Sequence, residues 1–202
     1  MKETKVQFSD AEIDLMSNSE IILTKNKVVQ KVKTLLEELQ NRMSDHNKNR
    51  AELFAKEAFS ISAKISKGEN YLGLPYLILD YPRFFNQQDI CAIRTMFWWG
   101  HFFSTTLHLS GPTKIQYTPK IVASFDLLAK NRYSLGINTD PWLHHFVSDN
   151  YSEIAIMDKE LFEGKCNGAQ HLKIATKVSL NHVHPQDELF ENWKELDAIC
   201  FS

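Results

Sequence analysis

The chain has 202 residues, 43% hydrophobic and 24% charged, with a formal net charge of −2. Those proportions exclude wholesale disorder, and one globular domain spanning 1–202, with a core needing no staples, is the expectation. Without a basic excess the chain is not expected to grip nucleic acid through its phosphates, and no apolar run approaches the ~18–20 residues of a membrane span.

Residues 1–18 read as a polar lead-in. Ser19 is a candidate N-cap, and Ile22, Val29, Val32, Leu36, Leu39 and Met43 then form one apolar stripe, which predicts a long amphipathic helix over 19–45. Such a helix lies on a sheet or pairs with a second copy. Lys25 interrupts the heptad, which favours the sheet and leaves a homodimer through this helix as the lesser alternative. Ser44-Asp45-His46-Asn47 breaks the pattern, and a second helix is expected over 49–58.

The period then changes. Phe59, Ile61, Ala63 and Ile65 alternate with polar residues, as in a strand. Lys67-Gly68-Glu69-Asn70 supplies turn residues, and 71–79 returns as the second strand of a hairpin. Asp80-Tyr81-Pro82-Arg83 reads as a turn. Residues 90–98 and 101–109 form two further antiparallel strands about Gly100, and Ser110-Gly111-Pro112 stops the second.

Thr118-Pro119 has the form of a helix start, with the helix ending near Asn131. A strand over 133–137, a short helical turn over 142–147 behind Asp140-Pro141, a short strand over 154–157, a turn or helical stub over 158–162 and a loop over 164–168 follow. A long strand over 171–183 precedes a last helix, capped by Asp187 and running to about Cys200. The sum is an α+β fold: a central, mainly antiparallel sheet with helices packed against it and a long N-terminal helix.

The aromatic run Phe97-Trp98-Trp99-Gly100-His101-Phe102-Phe103 is the densest source of packing area in the chain. On a regular strand His108 shares its side with Thr106 and Ser104, a polar wall suited to a ligand. His101 shares its side with Phe103, Thr105 and Leu107 and reads as a hydrogen-bonded core residue. These residues suggest a binding pocket walled by Trp98 and Trp99, with Arg94, Thr106 and His108 as polar anchors. Of His144-His145, adjacent in a short turn, one is expected to be exposed.

His182-Val183-His184 on a strand would place both imidazoles on one side, where they could ligate a divalent metal. With Glu188 the string reads His-x-His-x3-Glu. It is similar to the core of the cupin metal-binding motif over those seven residues, which implies His182, His184 and Glu188 as metal ligands. Thr176 and Lys194-Glu195 replace the flanking glycines of that motif, so the chain is not assigned to that family.

Three widely spaced cysteines, Cys91, Cys166 and Cys200, suit a reducing compartment. The charged N-terminus leads into no apolar segment, so a cytoplasmic protein without a secretory signal is expected. Cys166, in its glycine-flanked loop, is the one cysteine placed to react. No G-x-S-x-G, Walker or G-x-G-x-x-G motif is present. The function expected is a non-catalytic small-molecule-binding or interaction domain with an aromatic and histidine-lined pocket. The alternative is a histidine-based metal-dependent hydrolase or oxidoreductase.

Overall fold

In the computed structural model, which describes residues 6–48 and 56–201, seven strands form one antiparallel sheet. They are β1 (Lys64–Tyr71), β2 (Leu74–Phe85), β3 (Ile90–Trp98), β4 (Phe102–Ser110), β5 (Ser134–Gly136), β6 (Tyr151–Glu153) and β7 (His171–Ser179), in the spatial order β1-β2-β3-β4-β7-β5-β6. The helices are α1 (Asp10–Ser17), α2 (Ser19–Asn47), α3 (Lys56–Ser60), α4 (Gly111–Ala123), α5 (Phe125–Lys130), α6 (Lys159–Gly168) and α7 (Pro185–Phe201). The α+β class, the antiparallel sheet and the long N-terminal helix all agree with the sequence pattern.

Period-two alternation gives the sheet two unlike faces. On one, the cross-strand rows run Leu77–Phe97–Phe103–Val178 and Ile93–Leu107–Ile174–Leu135. Against them lie α2 (Leu36, Leu39, Met43), α7 (Leu189, Trp193, Leu196) and α4 (Tyr117, Ile121). Leu36, Leu39 and Met43 are wholly buried, a contribution of about 2 kcal/mol each. Trp193 adds a directed contact, its indole N–H donating to the Tyr81 carbonyl at 2.6 Å. One row breaks the apolar pattern: Leu79–Thr95–Thr105–Thr176, in which Thr95 and Thr105 are wholly buried and neither hydroxyl has a partner.

Several elements depart from the sequence expectation, each for a local reason. The lead-in contains α1, because Ser9 and Glu12 form a reciprocal capping box. The cap of α2 is Asn18, one residue before Ser19, and it accepts from the Glu20 N–H. Of the helix expected over 49–58, residues 49–55 lie outside the described residues, and 56–60 are α3. The alternation at 59–65 is therefore mostly not a strand. β1 begins at Lys64 and runs through Lys67-Gly68-Glu69-Asn70, turning instead at Leu72-Gly73, where both residues have positive φ.

Asp80-Tyr81-Pro82-Arg83 is not a turn either. It continues β2, and the register with β3 shifts there. Helix α4 starts at Gly111, not at Thr118-Pro119, which lie inside it. The cap is tertiary: Asp89, far back in the chain, accepts from the Thr113 N–H (3.1 Å) and hydroxyl (2.5 Å). Gly111 is required, since its φ is +57 and a Cβ would stand 2.0 Å from the Gln88 carbonyl oxygen.

The turn expected over 142–147 is irregular chain, and the strand expected at 154–157 is a single 3-10 turn after β6. Residues 164–168, expected as a loop, belong to α6, whose cap is Asp158. Cys166 is consequently wholly buried, its thiol pushed up to about 12 by burial, which removes it as a nucleophile. Cys91 and Cys200 are buried too. β7 stops at Ser179, and α7 opens at Pro185, ahead of Asp187. Among the described residues no helix is long and apolar enough to cross a membrane.

Replacing Thr95 and Thr105 together by Val is expected to raise stability by about 1 kcal/mol per hydroxyl removed, since each is a buried polar group without a partner. Urea unfolding of the variant would show the midpoint moving up at unchanged slope.

Candidate functional site

The second face of the sheet carries the polar groups. Its rows run Asp80–Arg94–Thr106–Ala175–Ser134 and Ala92–His108–Lys173. The segment 137–150 closes over these rows as a roof. Its ends meet where the Ile137 N–H donates to the Asn150 carbonyl at 2.9 Å. Tyr71 pins its middle, accepting from the backbone N–H groups of His144 (2.5 Å) and His145 (3.2 Å) and meeting His145 Nδ1 at 2.9 Å. Asn150 holds the His145 carbonyl from the side chain at 2.6 Å, and the Lys173 ammonium donates to the Leu143 carbonyl. A long structureless loop held this firmly is characteristic of a functional segment.

Beneath the roof Asp80 and Arg94 make a bidentate ion pair, Nε to Oδ1 at 2.8 Å and Nη2 to Oδ2 at 3.0 Å, with both side chains nearly out of solvent. Arg94 Nη1 also lies 3.0 Å from His144 Nε2. Arginine only donates, so Nε2 accepts and the proton of neutral His144 sits on Nδ1. That Nδ1 is buried and has no partner. His108 Nε2 is buried without a partner as well, and the buried Tyr151 hydroxyl has only the Thr106 side chain beside it. His108 stands edge-on to Trp142 (5.5 Å) and His171 (6.0 Å).

The basic groups crowd one another, and their protonation follows. Burial, and then the charges of Lys173, Arg94 and His171, pull His108 down to about 3. Burial, with Arg94 next, holds His144 well below its ordinary value, and burial also lowers His171. Lys173, wholly buried with its ammonium 4.9 Å from the Tyr151 ring centre, is drawn down to about 7 by burial and by Arg94, against the opposing charge of Asp140. This cluster therefore combines one fixed cation, a lysine poised at neutral pH and neutral imidazoles.

Tyr151 also lines an adjoining cleft of about 360 Å³. Arg132 and Lys177 supply its cations, Glu153 its one carboxylate, and Ser134 and Ser148 its hydroxyls, with Thr176 at its border. Phe146 stacks on Tyr151 at 4.5 Å and forms the apolar wall, with Lys177 reaching over its ring. A cleft of that size with a few directed polar groups suits a small molecule.

Arg94, Thr106 and His108 share this face, Arg94 directly opposite Thr106 and His108 two residues along. Trp98 is on the same face but farther along β3, packed against Tyr71 and stacked on His101 at 3.6 Å, its indole N–H donating to the Tyr71 carbonyl. It lines no part of the cleft. Trp99 packs with the apolar, helix-covered cluster, beside Phe97. His101 is in the β3–β4 turn and exposed, not in the core. Of the pair His144-His145, neither is exposed.

His182 and His184 follow the end of β7, so strand alternation does not orient them. Both are exposed, His182 Nδ1 accepts from the His184 N–H at 3.2 Å, and His182 Nε2 pairs with Glu188 at 2.9 Å. No group of three or more His, Cys, Asp or Glu side chains among the described residues is arranged to hold a metal.

Tyr151, His171 and Lys173 are not distinguished by the sequence pattern, which reads Asp80 as part of a turn and His144 only as one of an adjacent pair. A faint signal was available: in β7 His171, Lys173 and Lys177 alternate with Leu172, Ile174 and Val178. That pattern equally describes a solvated face, and only the roof makes it a site. Comparison with known proteins finds no matching family model, no matching curated protein and no matching solved structure.

Asp80→Asn leaves Arg94 buried without a counter-charge and is expected to cost about 3 kcal/mol in chemical unfolding. Acid should act on the same site. The folded protein keeps His108 neutral down to about 3, whereas the unfolded chain takes up the proton near 6.5, so its contribution is whole above pH 6.5 and shrinks as pH falls through that window. At pH 5 the loss from His108 is about 2 kcal/mol, and His108→Gln should flatten the slope of stability between pH 6.5 and 5.

Proposed function

We propose that this chain is a non-catalytic small-molecule-binding domain, its ligand a small polar molecule carrying a carboxylate or phosphate. The ligand lies between the polar face of the sheet and the 137–150 roof. The observation that carries this reading is the cleft edged by Arg132 and Lys177, whose Tyr151 wall adjoins Lys173 and the roofed layer in which His108 Nε2 and His144 Nδ1 are buried without partners. Buried polar atoms ordinarily find partners. His144 Nδ1–H and the Tyr151 hydroxyl are donors, which suits an acceptor-rich guest.

Arg132 and Lys177 outnumber Glu153 in the cleft, which favours an anionic group there. Lys173 fits the same picture: a buried amine drawn down to about 7 takes up its proton most readily when an anion arrives. Of the pocket residues named from the sequence, Arg94, Thr106 and His108 belong to this reading, while Trp98 and Trp99 act in packing. The metal-dependent enzyme finds less support, as His182 and His184 are exposed beyond the end of β7 and only Glu188 stands with His182, which leaves no set of three ligands among the described residues. Three free, buried cysteines fit a reducing compartment, so a cytoplasmic location is part of the proposal.

The test is thermal unfolding and calorimetric titration with inorganic phosphate, short mono- and dicarboxylates and sugar phosphates. At least one compound should stabilise the protein, by about 2.7 kcal/mol at a hundredfold excess over Kd. Arg132→Gln with Lys177→Gln should weaken that compound at least tenfold, as expected for losing charge-assisted hydrogen bonds, while leaving the ligand-free melting point in place. No stabilisation by any of these anions, or equal stabilisation of the double variant, would refute the reading.

A further inference from the structure

Among the described residues, the apolar core draws on none of 137–150. The two buried residues of this segment, His144 and Asn150, are polar, and its large rings, Trp142 and Phe146, keep part of their surface in solvent. Its neck closes without help from the layer beneath. The Ile137 N–H donates to the Asn150 carbonyl, the Asn138 side-chain amide donates to the Asp149 carbonyl at 3.1 Å, and the pairing of Gly136 with Tyr151 continues the neck into β5 and β6. The segment thus has the form of an Ω-loop, its ends close together. It can leave the sheet by a local opening that disturbs neither its neck nor the core.

Two of the contacts that hold the segment down need an unprotonated imidazole nitrogen. His144 Nε2 accepts from Arg94 at 3.0 Å. The Tyr71 hydroxyl already accepts from two backbone N–H groups, so its own proton goes to His145 Nδ1 at 2.9 Å. A proton on either nitrogen turns the acceptor into a second donor. We propose that 137–150 is an acid-released lid, closed over Arg94, His108 and Lys173 at neutral pH and freed from the sheet when the imidazoles under it and on it take up protons. The surroundings of His144 make added positive charge costly. Arg94 of β3, His108 of β4, Lys173 and His171 of β7 and the adjacent His145 are bases, and Lys114 of α4 adds its charge near His171. Against them stand Asp80 of β2, already engaged by Arg94, and Asp140 of the segment itself. Tyr71 of β1 and Tyr151 of β6 are phenols that burial keeps neutral. In the closed form burial holds His108 and His144 uncharged far below the ~6.5 of a free imidazole, so the released form binds more protons. Closure is fully favoured above pH 6.5 and loses ground as pH falls below it. Release requires no ligand and stands apart from the anion reading.

The experiment is hydrogen–deuterium exchange on the ligand-free full chain, with rates corrected for the intrinsic pH dependence of exchange. Protection across the lid, including the His144 and His145 amides, should fall about 100-fold between pH 7.5 and 5.5, about tenfold for each of His108 and His144. Amides of β4 and β7 should stay more protected than the lid at both pH values. His108→Gln and His144→Gln should each reduce the fall to about tenfold. Lid amides that exchange in step with β4 and β7, lid protection indifferent to pH, or an undiminished fall in either variant would overturn the proposal. If a variant's lid stands open already at pH 7.5, the imidazole signals of the unaltered chain decide by NMR. Titration of His108 and His144 together with release supports the lid, and release while both stay neutral overturns it.

Discussion

The pairing of Asp80 with Arg94 is the interaction on which the polar half of this molecule rests. A guanidinium beneath a closed roof must have a counter-charge, and a bidentate carboxylate supplies both the charge and the geometry. Because the two residues face each other across β2 and β3, the pair also pins the register of those strands just before it shifts. Its third arm reaches His144 and so ties the roof to the sheet. Register, roof and the tautomer of His144 follow from one contact.

The two faces of the sheet divide the labour. The helix-covered face supplies hydrophobic stability through Leu36, Trp193, Ile174 and their neighbours. The roofed face spends some of it. His108, His144 and Lys173 are held away from their preferred protonation states, and His108 Nε2 and His144 Nδ1 go without partners. Local rules broken together in one place, against an otherwise consistent fold, are the usual mark of a site maintained for binding. The hydroxyls of Thr95 and Thr105, in the apolar layer, and the amide nitrogens of Asn47 and Asn192 also go without partners and lie outside this cleft.

Much of the central sheet was legible. The alternation over 90–98 and 101–109 about Gly100 corresponds closely to β3 and β4, and it placed Arg94, Thr106 and His108 on one side. The stripe from Val29 to Met43 belongs to α2. Where reading failed, a distant residue had taken over a local role. Asp89 caps α4, so Thr118-Pro119 falls inside a helix in spite of its start-like form. Asp80-Tyr81-Pro82-Arg83 has turn chemistry, yet flanking pairing with β3 keeps it extended.

By itself the sequence determined the α+β class, the long N-terminal helix, and, over 90–98 and 101–109, an antiparallel hairpin and the side on which its residues fall. Periodicity is a property of neighbours in the chain, and neighbours are all that a sequence displays. The tertiary structure alone decided what covers each side. A histidine or lysine on a polar strand face is solvated or buried according to whether residues some thirty positions away fold over it. That choice, made by the 137–150 segment, turned His108 and Lys173 from surface groups into buried ones.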